Sequence, residues 1–165
     1  MVRELRFVVK YILGRDIAER HAWVYPDDTF IVSYLRSGNT WTRFLVANLI
    51  QEHEPVTFSN IERVVPDIHA QSRKYLKTIR RPRILKSHEY FDPRYRKLIY
   101  IVRDPRDVAL SYYHFQRKYR HIVDSYPIDE YVDRFVSGEL NDFGSWGENV
   151  LSWLATRSAK FCTVV

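Results

Sequence analysis

Cations and small polar side chains follow two apolar strand candidates in this chain, and they could bind two anionic groups. The first set, residues 36–40 with the sequence RSGNT, follows the apolar segment at residues 29–34. The second set contains Arg103, directly after the segment at residues 98–102, and Ser111 further along. Backbone N–H groups at a helix N-terminus and nearby cations both attract anions. The two sets therefore predict a ligand that carries phosphate at two places.

The first set has the composition of a phosphate-binding turn. Gly38 lets the backbone approach a ligand closely, because it has no side chain. Arg36 supplies a full charge, and hydrogen-bond donors follow at Ser37, Asn39 and Thr40. The Walker pattern GxxxxGK[ST] is absent, so the turn would bind phosphate as a P-loop does but with a different sequence. A plain helix N-cap formed by Ser37 or Asn39 is the alternative interpretation.

The second set separates into a structural part and a ligand-binding part. Asp104 can cap the helix that follows, Pro105 suits its first position, and Asp107 suits a capping box. Arg103 has no such structural explanation, and Ser111 lies about two turns into the helix, where it could share an anion with Arg103. No acidic residue ends the preceding strand, which counts against the Walker-B magnesium ligand of an ordinary NTP hydrolase or kinase.

A basic residue and a histidine follow a third strand candidate. The segment at residues 83–86 runs into Lys86 and His88. A histidine can take a proton from a hydroxyl near neutral pH, so His88 is a candidate general base. A lone histidine is more often structural, and we give that interpretation to the other five. These are His21, His53, His69, His114 and His121.

Composition restricts the class of protein. The 165 residues are enough for one domain with a core, and a chain with 45% hydrophobic and 28% charged residues is typical of soluble globular proteins. No apolar run approaches the roughly 18 residues that span a bilayer, and the N-terminus lacks a signal-peptide pattern, so we expect a cytoplasmic location and no transmembrane segment. Cys162 is the only cysteine, which excludes an intrachain disulfide and a cysteine metal cluster.

The charge of the chain favours anionic partners. A net charge of +6 favours binding to nucleotides, nucleic acid or acidic lipid. The cations at residues 73–83 form either a solvated face or, as a further hypothesis, a nucleic-acid surface. Tyr75 is the one aromatic residue among them, whereas single-strand binding surfaces interleave several aromatic side chains with their cations. We therefore expect no nucleic-acid partner.

Strand and helix patterns alternate along the chain and predict an α/β fold. Because strands alternate with helices, the sheet should be parallel, and ligands of such sheets sit outside the carboxyl ends of the strands. The strand candidates are residues 29–34, 83–86, 98–102 and 161–165. Periodic apolar residues predict helices at 3–21, 41–52, 69–79, 105–120, 127–136 and 144–156.

Three segments together resemble one family, the cytosolic-type sulfotransferases. LRSGNTW resembles their 5′-phosphosulfate loop, usually written YPKSGTTW, and IVRDPRDVALSYYHF resembles their 3′-phosphate motif. LKSH resembles the strand that carries their lysine and catalytic histidine, and GSW at residues 144–146 matches a segment downstream. The resemblance implies a P-loop-like parallel sheet flanked by helices in three layers. It also implies 3′-phosphoadenosine 5′-phosphosulfate (PAPS) as the sulfonate donor, and no metal.

The resemblance further implies roles for individual residues. Arg36 stands where the family usually has a lysine, and it would contact the 5′-phosphate and the bridging oxygen as an electrostatic clamp. His88 would be the general base, Lys86 would stabilise the transferring sulfonate, and Trp41 would stack on adenine. The rest of the loop would be Ser37, Gly38, Asn39 and Thr40, and the 3′-phosphate would be held by Arg103 and Ser111.

Members of the family continue well beyond the point at which this chain stops. After the last strand they add a Tyr-Glu-Asp turn, several helices and a late basic segment that completes the 3′-phosphate and adenine contacts. From the helical pattern at residues 3–21 and the turn that follows it, we expect residues 1–28 to form an N-terminal helical segment and turn. Residues 29–165 would form a partial sulfotransferase domain that lacks the C-terminal part of the family fold.

Two functions remain open at this point. One is transfer of the sulfonate group from PAPS to a hydroxyl or amine of an unknown small-molecule acceptor. The other is a catalytically inactive fragment of such an enzyme that binds a nucleotide or another anion. Candidate aromatic residues for an acceptor pocket are Tyr90, Phe91, Tyr112, Tyr119 and Phe143.

Overall fold

A four-stranded parallel sheet lies at the centre of the computed structural model, which describes residues 18–155 and 162–164. The strands are β1 (Thr29–Ser33), β2 (Ile84–Ser87), β3 (Lys97–Ile101) and β4 (Cys162–Val164). Their order in the sheet is β2-β1-β3-β4, and each neighbouring pair is parallel. This confirms the parallel sheet that the alternation of strands and helices predicts.

Helices connect the strands and agree with most of the sequence pattern. The segment at residues 51–83 contains two short helices, where the pattern predicts one at 69–79. The N-terminal pattern at residues 3–21 mostly lies outside the described residues, and its end is a short 3₁₀ helix, Glu19–His21. The helices are α1 (Asn39–Ile50), α2 (Ile61–Val64), α3 (Arg73–Thr78), α4 (Pro105–Lys118), α5 (Ile128–Ser137) and α6 (Trp146–Leu154).

Both faces of the sheet are covered by helices, because successive strand side chains point to opposite faces. Phe30 and Val32 of β1 pack with α3 and α6, whereas Ile31 between them packs with α1 and α2. This arrangement confirms the three layers that the family resemblance implies. The apolar cluster on the face with Phe30 and Val32 also includes Ala18, Ala22, Ile68, Leu76, Leu85, Leu98, Tyr100, Val150 and Trp153. The apolar cluster on the face with Ile31 also includes Ala47, Val56, Ile61, Val65 and Ile101.

A third apolar cluster lies next to the end of β1 and joins α4 to α5. Tyr34, the residue after β1, packs there edge-on against Phe135 with ring centroids 6.0 Å apart. Its hydroxyl donates to the Gly144 carbonyl at 3.1 Å and accepts from Asn141 at 2.8 Å. The cluster therefore fixes α4, and the loop before α6, against the carboxyl end of the sheet.

Several cations of the segment at residues 73–83 have structural roles. Arg83 forms an ion pair with Asp28 in which both side chains are 0% exposed. Arg81 pairs with Asp27 on the surface. Arg83 is therefore a buried structural cation and not part of a solvated face, whereas Arg81 is at the surface. The lack of a nucleic-acid partner stays a prediction. No helix in the described part of the chain is long and apolar enough to cross a membrane.

Candidate functional site

A cleft of about 710 Å³ opens at the carboxyl ends of β1, β2 and β3. It lies at this edge because the three strands are neighbours and run in the same direction. Nine of the ten residues that the sequence nominates line the cleft, and the tenth, Ser37, is buried within the same turn. The full lining is Leu35, Arg36, Gly38, Asn39, Thr40, Trp41, His69, Lys86, His88, Arg103, Ser111, Tyr112, Phe115 and Phe143.

The turn after β1 has the backbone geometry of an anion-binding loop. Gly38 caps α1 with a φ of +99°, which favours glycine. Arg36 has a φ of +63°, a conformation that costs a non-glycine residue about 1–3 kcal/mol and is concentrated at functional sites. The Ser37 hydroxyl is buried and lacks a hydrogen-bond partner among the described residues. A buried, unsatisfied hydroxyl in this turn fits a phosphate oxygen as its partner.

Asn39 has a structural role that its position alone does not reveal. Its side-chain amide donates to the Ile31 carbonyl at 3.3 Å, to the Ser33 hydroxyl at 3.1 Å and to the Ser87 carbonyl at 3.4 Å. These contacts tie the ends of β1 and β2 together at the start of α1. We therefore expect Asn39 to contribute to a cofactor site through its backbone N–H and not through its amide.

The rim of the cleft carries an exposed aromatic ring. Trp41, in the first turn of α1, is 77% exposed, and Thr40 beside it is also exposed. An indole this accessible offers a face on which a base can stack. Stacking of Trp41 on adenine stays a prediction.

Arg36 lies between the two predicted anion sites. Its Nε donates to the Ser111 hydroxyl at 3.3 Å, and its guanidinium lies 4.6 Å from the centre of the Phe115 ring. Arg103 donates to the Arg36 carbonyl at 3.3 Å and forms an ion pair with Asp107 at 3.6 Å. The turn after β1 is thus joined directly to the end of β3 and to α4. In this structure the Arg36 guanidinium lies beside the residue nominated for the 3′-phosphate.

The N-terminus of α4 follows the sequence pattern closely. The Asp104 side chain accepts from the backbone N–H of Arg106 at 2.9 Å, and Pro105 is the first helical residue. This confirms the structural interpretation of both residues. Asp107 contacts Arg103, so this carboxylate reduces the positive charge at the carboxyl end of β3.

His88 is held in a defined tautomer at the inner wall of the cleft. Its Nδ1–H donates to the Ser33 carbonyl at 2.8 Å, which leaves Nε2 as the nitrogen that can accept a proton. Burial, together with the nearby Lys86 and His69, lowers the pKa of His88 from 6.5 to about 3. The imidazole is therefore neutral at physiological pH, as a general base must be before it reacts.

Lys86 is not an isolated cation. Its Nζ donates to a carboxylate oxygen of Asp67 at 2.5 Å, and both side chains are mostly buried. Burial raises the pKa of the Asp67 carboxyl, but the charge and hydrogen bond of Lys86, together with the nearby His69 and His88, lower the net pKa. The cation is thereby held at the end of β2, beside His88.

Sequence reasoning missed three residues at the site. Asp67 and Phe115 received no functional role, and His69 was interpreted as structural. Asp67 and His69 come from the irregular segment before α3, which carries no motif of its own. Asp67 and His69 are two positions apart, as are Lys86 and His88, and this shared spacing is the one signal in the sequence that could have indicated them. Phe143, an expected acceptor-pocket residue, does line the cleft.

A metal site is not evident at the cleft. Within residues 18–155 and 162–164, no group of three His, Cys, Asp or Glu side chains is arranged to hold a metal ion. Independence from metal stays a prediction.

Residues 26–163 match the family model of the sulfotransferase domain, and this range contains every element that forms the cleft. This chain belongs to the sulfotransferase family. Sulfotransferase 1B1 of Canis lupus familiaris is 31% identical in an alignment of length 144, and the match covers 78% of this chain and 48% of that protein. Sulfotransferase 1E1 of Rattus norvegicus is 32% identical in an alignment of length 147, and the match covers 78% of this chain and 48% of that protein. This sulfotransferase chain thus spans about half the length of the curated relatives it matches.

Solved structures share the fold of this sulfotransferase chain. Mouse sulfotransferase SULT7A1 complexed with PAP superposes with a TM-score of 0.71 at 24% identity, over 90% of this chain and 54% of that one. Retinol dehydratase in complex with androsterone and inactive cofactor PAP gives a TM-score of 0.65 at 20% identity, over 93% of this chain and 57% of that one. At this level of identity the comparison shows the fold alone.

Proposed function

We propose that this chain carries the donor site and the base of a PAPS-dependent sulfotransferase. The observation that carries the proposal is the convergence of Arg36, Arg103 and Ser111 with His88 in one cleft, in a chain of this family. The acceptor would be a small molecule with a hydroxyl or amine. A cytoplasmic location, and the absence of a nucleic-acid partner, are parts of the same proposal.

The two ends of the cleft suit the two anionic ends of the donor. The turn at residues 36–40 would hold the 5′-phosphosulfate through backbone N–H groups, with the buried Ser37 hydroxyl as an additional donor. Arg103 and Ser111 would hold the 3′-phosphate. Arg36, which already contacts Ser111, would provide charge between the two ends. When bound, the donor supplies an activated sulfonate whose leaving group is a phosphate.

His88 would take the acceptor proton at Nε2 while the acceptor oxygen or nitrogen forms its bond to sulfur. The bridging S–O bond breaks, and its electron pair stays on the 5′-phosphate, so the products are the sulfated acceptor and 3′-phosphoadenosine 5′-phosphate (PAP). Lys86 would stabilise negative charge on the sulfonate oxygens. Anionic groups in the cleft favour the imidazolium form, so donor binding would raise the pKa of His88.

A nucleotide-binding module without catalysis is the second candidate function. The chain covers 48% of the length of its relatives from dog and rat, so whole-protein activity does not follow from the family. Such a module would keep nucleotide binding and lack transfer.

The test combines binding and turnover on the purified chain. Thermal melts with PAP, and with 5′-AMP as a control, report whether both anion sites bind. A ligand specific for the folded state adds about 2.7 kcal/mol to the free energy of unfolding at a hundredfold excess over Kd.

Transfer from ³⁵S-labelled PAPS to phenols, androsterone and retinol reports catalysis, and His88→Asn is the matched variant. We expect His88→Asn to abolish transfer and to keep the PAP shift. A PAP shift without transfer by the wild type favours the binding module, and a melt that PAP does not change contradicts both candidates.

A further inference from the structure

A segment at residues 66–69, here called the strap, lies along the outer edge of β2 and enters a turn at Ile68. The Lys86 N–H donates to the Pro66 carbonyl at 2.9 Å, and the Ile68 N–H donates to the Lys86 carbonyl at 3.2 Å. Asp67 and Lys86 form a parallel bridge between the strap and the strand. The strap therefore supports the part of β2 that leads into the cleft.

His69 of the strap contacts the backbone of His88. Its Nε2 accepts the His88 backbone N–H at 2.9 Å. The two imidazole rings are nearly parallel, with centroids 5.8 Å apart, and Phe143 packs edge-on against His69 at 5.0 Å. His88 is thus held from two sides, by His69 at its backbone and by the Ser33 carbonyl at its ring.

Asp67 connects this contact to the cation. One carboxylate oxygen accepts the His69 backbone N–H at 2.9 Å, and the other accepts from Lys86 Nζ. A single carboxylate therefore sets the position of the strap relative to Lys86, and through His69 relative to His88. Such a continuous network is what holds reactive groups within the narrow tolerance that catalysis needs.

The contact also fixes the chemical form of His69. Nε2 can accept the His88 N–H only if that nitrogen carries no proton, so the neutral ring carries its proton on Nδ1. A leucine would keep the bulk of the ring and remove the acceptor. A glutamine would keep an acceptor oxygen at a similar reach.

We propose that His69 is a positioning residue that holds the candidate base His88 through its backbone N–H, with Asp67 fixing His69 and Lys86 together. The catalytic consequence rests on the proposed function. The structural part of the inference does not, because it concerns contacts that exist without substrate.

Long-range ¹H–¹⁵N NMR of the histidine rings tests the structural part in the free protein. In the wild type we expect His69 to carry its proton on Nδ1 and to accept at Nε2. We also expect His69→Leu to shift the His88 ring nitrogens toward tautomer-averaged values, while His69→Gln leaves them close to those of the wild type. His53→Leu, at an exposed position between α1 and α2, is the matched control. A proton on Nε2 of His69 in the wild type overturns the inference even if the leucine variant fails to fold.

Transfer kinetics test the catalytic part. We expect His69→Leu to lower kcat by up to about a hundredfold with little change in KM for PAPS, because the base is misplaced. His69→Gln should have a kcat close to that of the wild type. Equal His88 signals in His69→Leu and wild type overturn the proposal, whether or not the chain turns over. Absence of both transfer and PAP binding in the wild type, with the expected NMR signals, contradicts the proposed function and leaves the positioning contact intact.

Discussion

Arg36 donates through Nε to the Ser111 hydroxyl at 3.3 Å, and this contact joins the turn after β1 to the helix that follows β3. The two residues are 75 positions apart in the chain. Each was nominated separately as part of an anion site, and the structure makes them neighbours. The two predicted anion sites therefore adjoin each other in one cleft, in which Arg103 also contacts the Arg36 carbonyl.

Removal of Arg103 should weaken the binding of a nucleotide that carries a 3′-phosphate. A hydrogen bond to a charged group contributes about 1.5–3 kcal/mol, so Arg103→Ala should raise the Kd for PAP by roughly tenfold to a hundredfold. The Kd for 5′-AMP, which lacks the 3′-phosphate, should change little. Isothermal titration of both ligands measures the difference. Arg106→Ala, at an exposed neighbour outside the cleft lining, is the matched control. Equal losses for both ligands would contradict a 3′-phosphate role.

His88 should make the folded state sensitive to mild acid. Its pKa is about 3 in the folded chain and 6.5 as a free side chain, so the unfolded state binds a proton first as the pH falls. Stability from this group is complete above pH 6.5 and is lost as the pH falls toward 3, with a limiting slope of about 1.36 kcal/mol per pH unit. The pKa of Asp67 is also lowered from 3.8, so its contribution to the free energy of unfolding is lost only as the pH falls through and below the range in which an ordinary carboxyl titrates.

Urea unfolding between about pH 4.5 and 6.5 separates these two groups, because Asp67 stays ionised there. We expect the free energy of unfolding of His88→Asn to depend less on pH than that of the wild type. His53→Asn is the control at an exposed position. Parallel pH profiles for His88→Asn and wild type would show that His88 is not held neutral by burial.

Gly144 should tolerate no side chain, whereas Gly147 should accept one. Gly144 has a φ of +65°, and an added Cβ would lie 1.6 Å from the Tyr90 hydroxyl oxygen. Gly144→Ala should destabilise the fold by at least about 1–2 kcal/mol, since the left-handed backbone alone costs this much. Gly147 lies in α6 with nothing within 4 Å of an added Cβ, so Gly147→Ala should be neutral or stabilising by up to about 1 kcal/mol. Chemical denaturation measures both, and a similar loss in the two variants would contradict the strained-turn explanation.

The buried pair of Arg83 and Asp28 should behave as a unit. Arg83 donates to both carboxylate oxygens, at 2.9 and 2.5 Å. Arg83→Met leaves a buried carboxylate without its partner, which costs about 3–5 kcal/mol. The double variant with Asp28→Leu should regain a large part of the loss, because no uncompensated charge remains. Denaturation midpoints of the single and double variants test this, and strictly additive losses would mean that the two charges do not interact.

The sequence predicted the fold and the location of the cleft because the signals for both are local. Apolar strands and periodic helices alternate along the chain, and polar turns follow three of the strands. Once the strands are parallel neighbours, their carboxyl ends meet at one edge, and the nominated residues must lie near one another. The cap at Asp104 and Pro105 was likewise readable, since a helix N-terminus needs only its nearest residues.

The roles of Asn39, Asp67 and His69 were not readable, because each depends on a partner that the chain brings near only after folding. Asn39 looked like a phosphate donor, but its amide is directed to the ends of β1 and β2. Asp67 and His69 come from a segment without a motif, and their contacts are to Lys86 and His88 about 19 positions away. Secondary structure patterns carry no information on which irregular segment covers an outer strand.

The sequence alone thus determined the family pattern, the parallel sheet and most of the residues that meet at its carboxyl edge. Only the tertiary structure decided that Arg36 joins the two anion sites, that Lys86 is paired with Asp67, and that the pKa of His88 is low. These properties follow from burial and from distances of a few ångströms between side chains. Such distances are fixed by packing, and not by the order of residues along the chain.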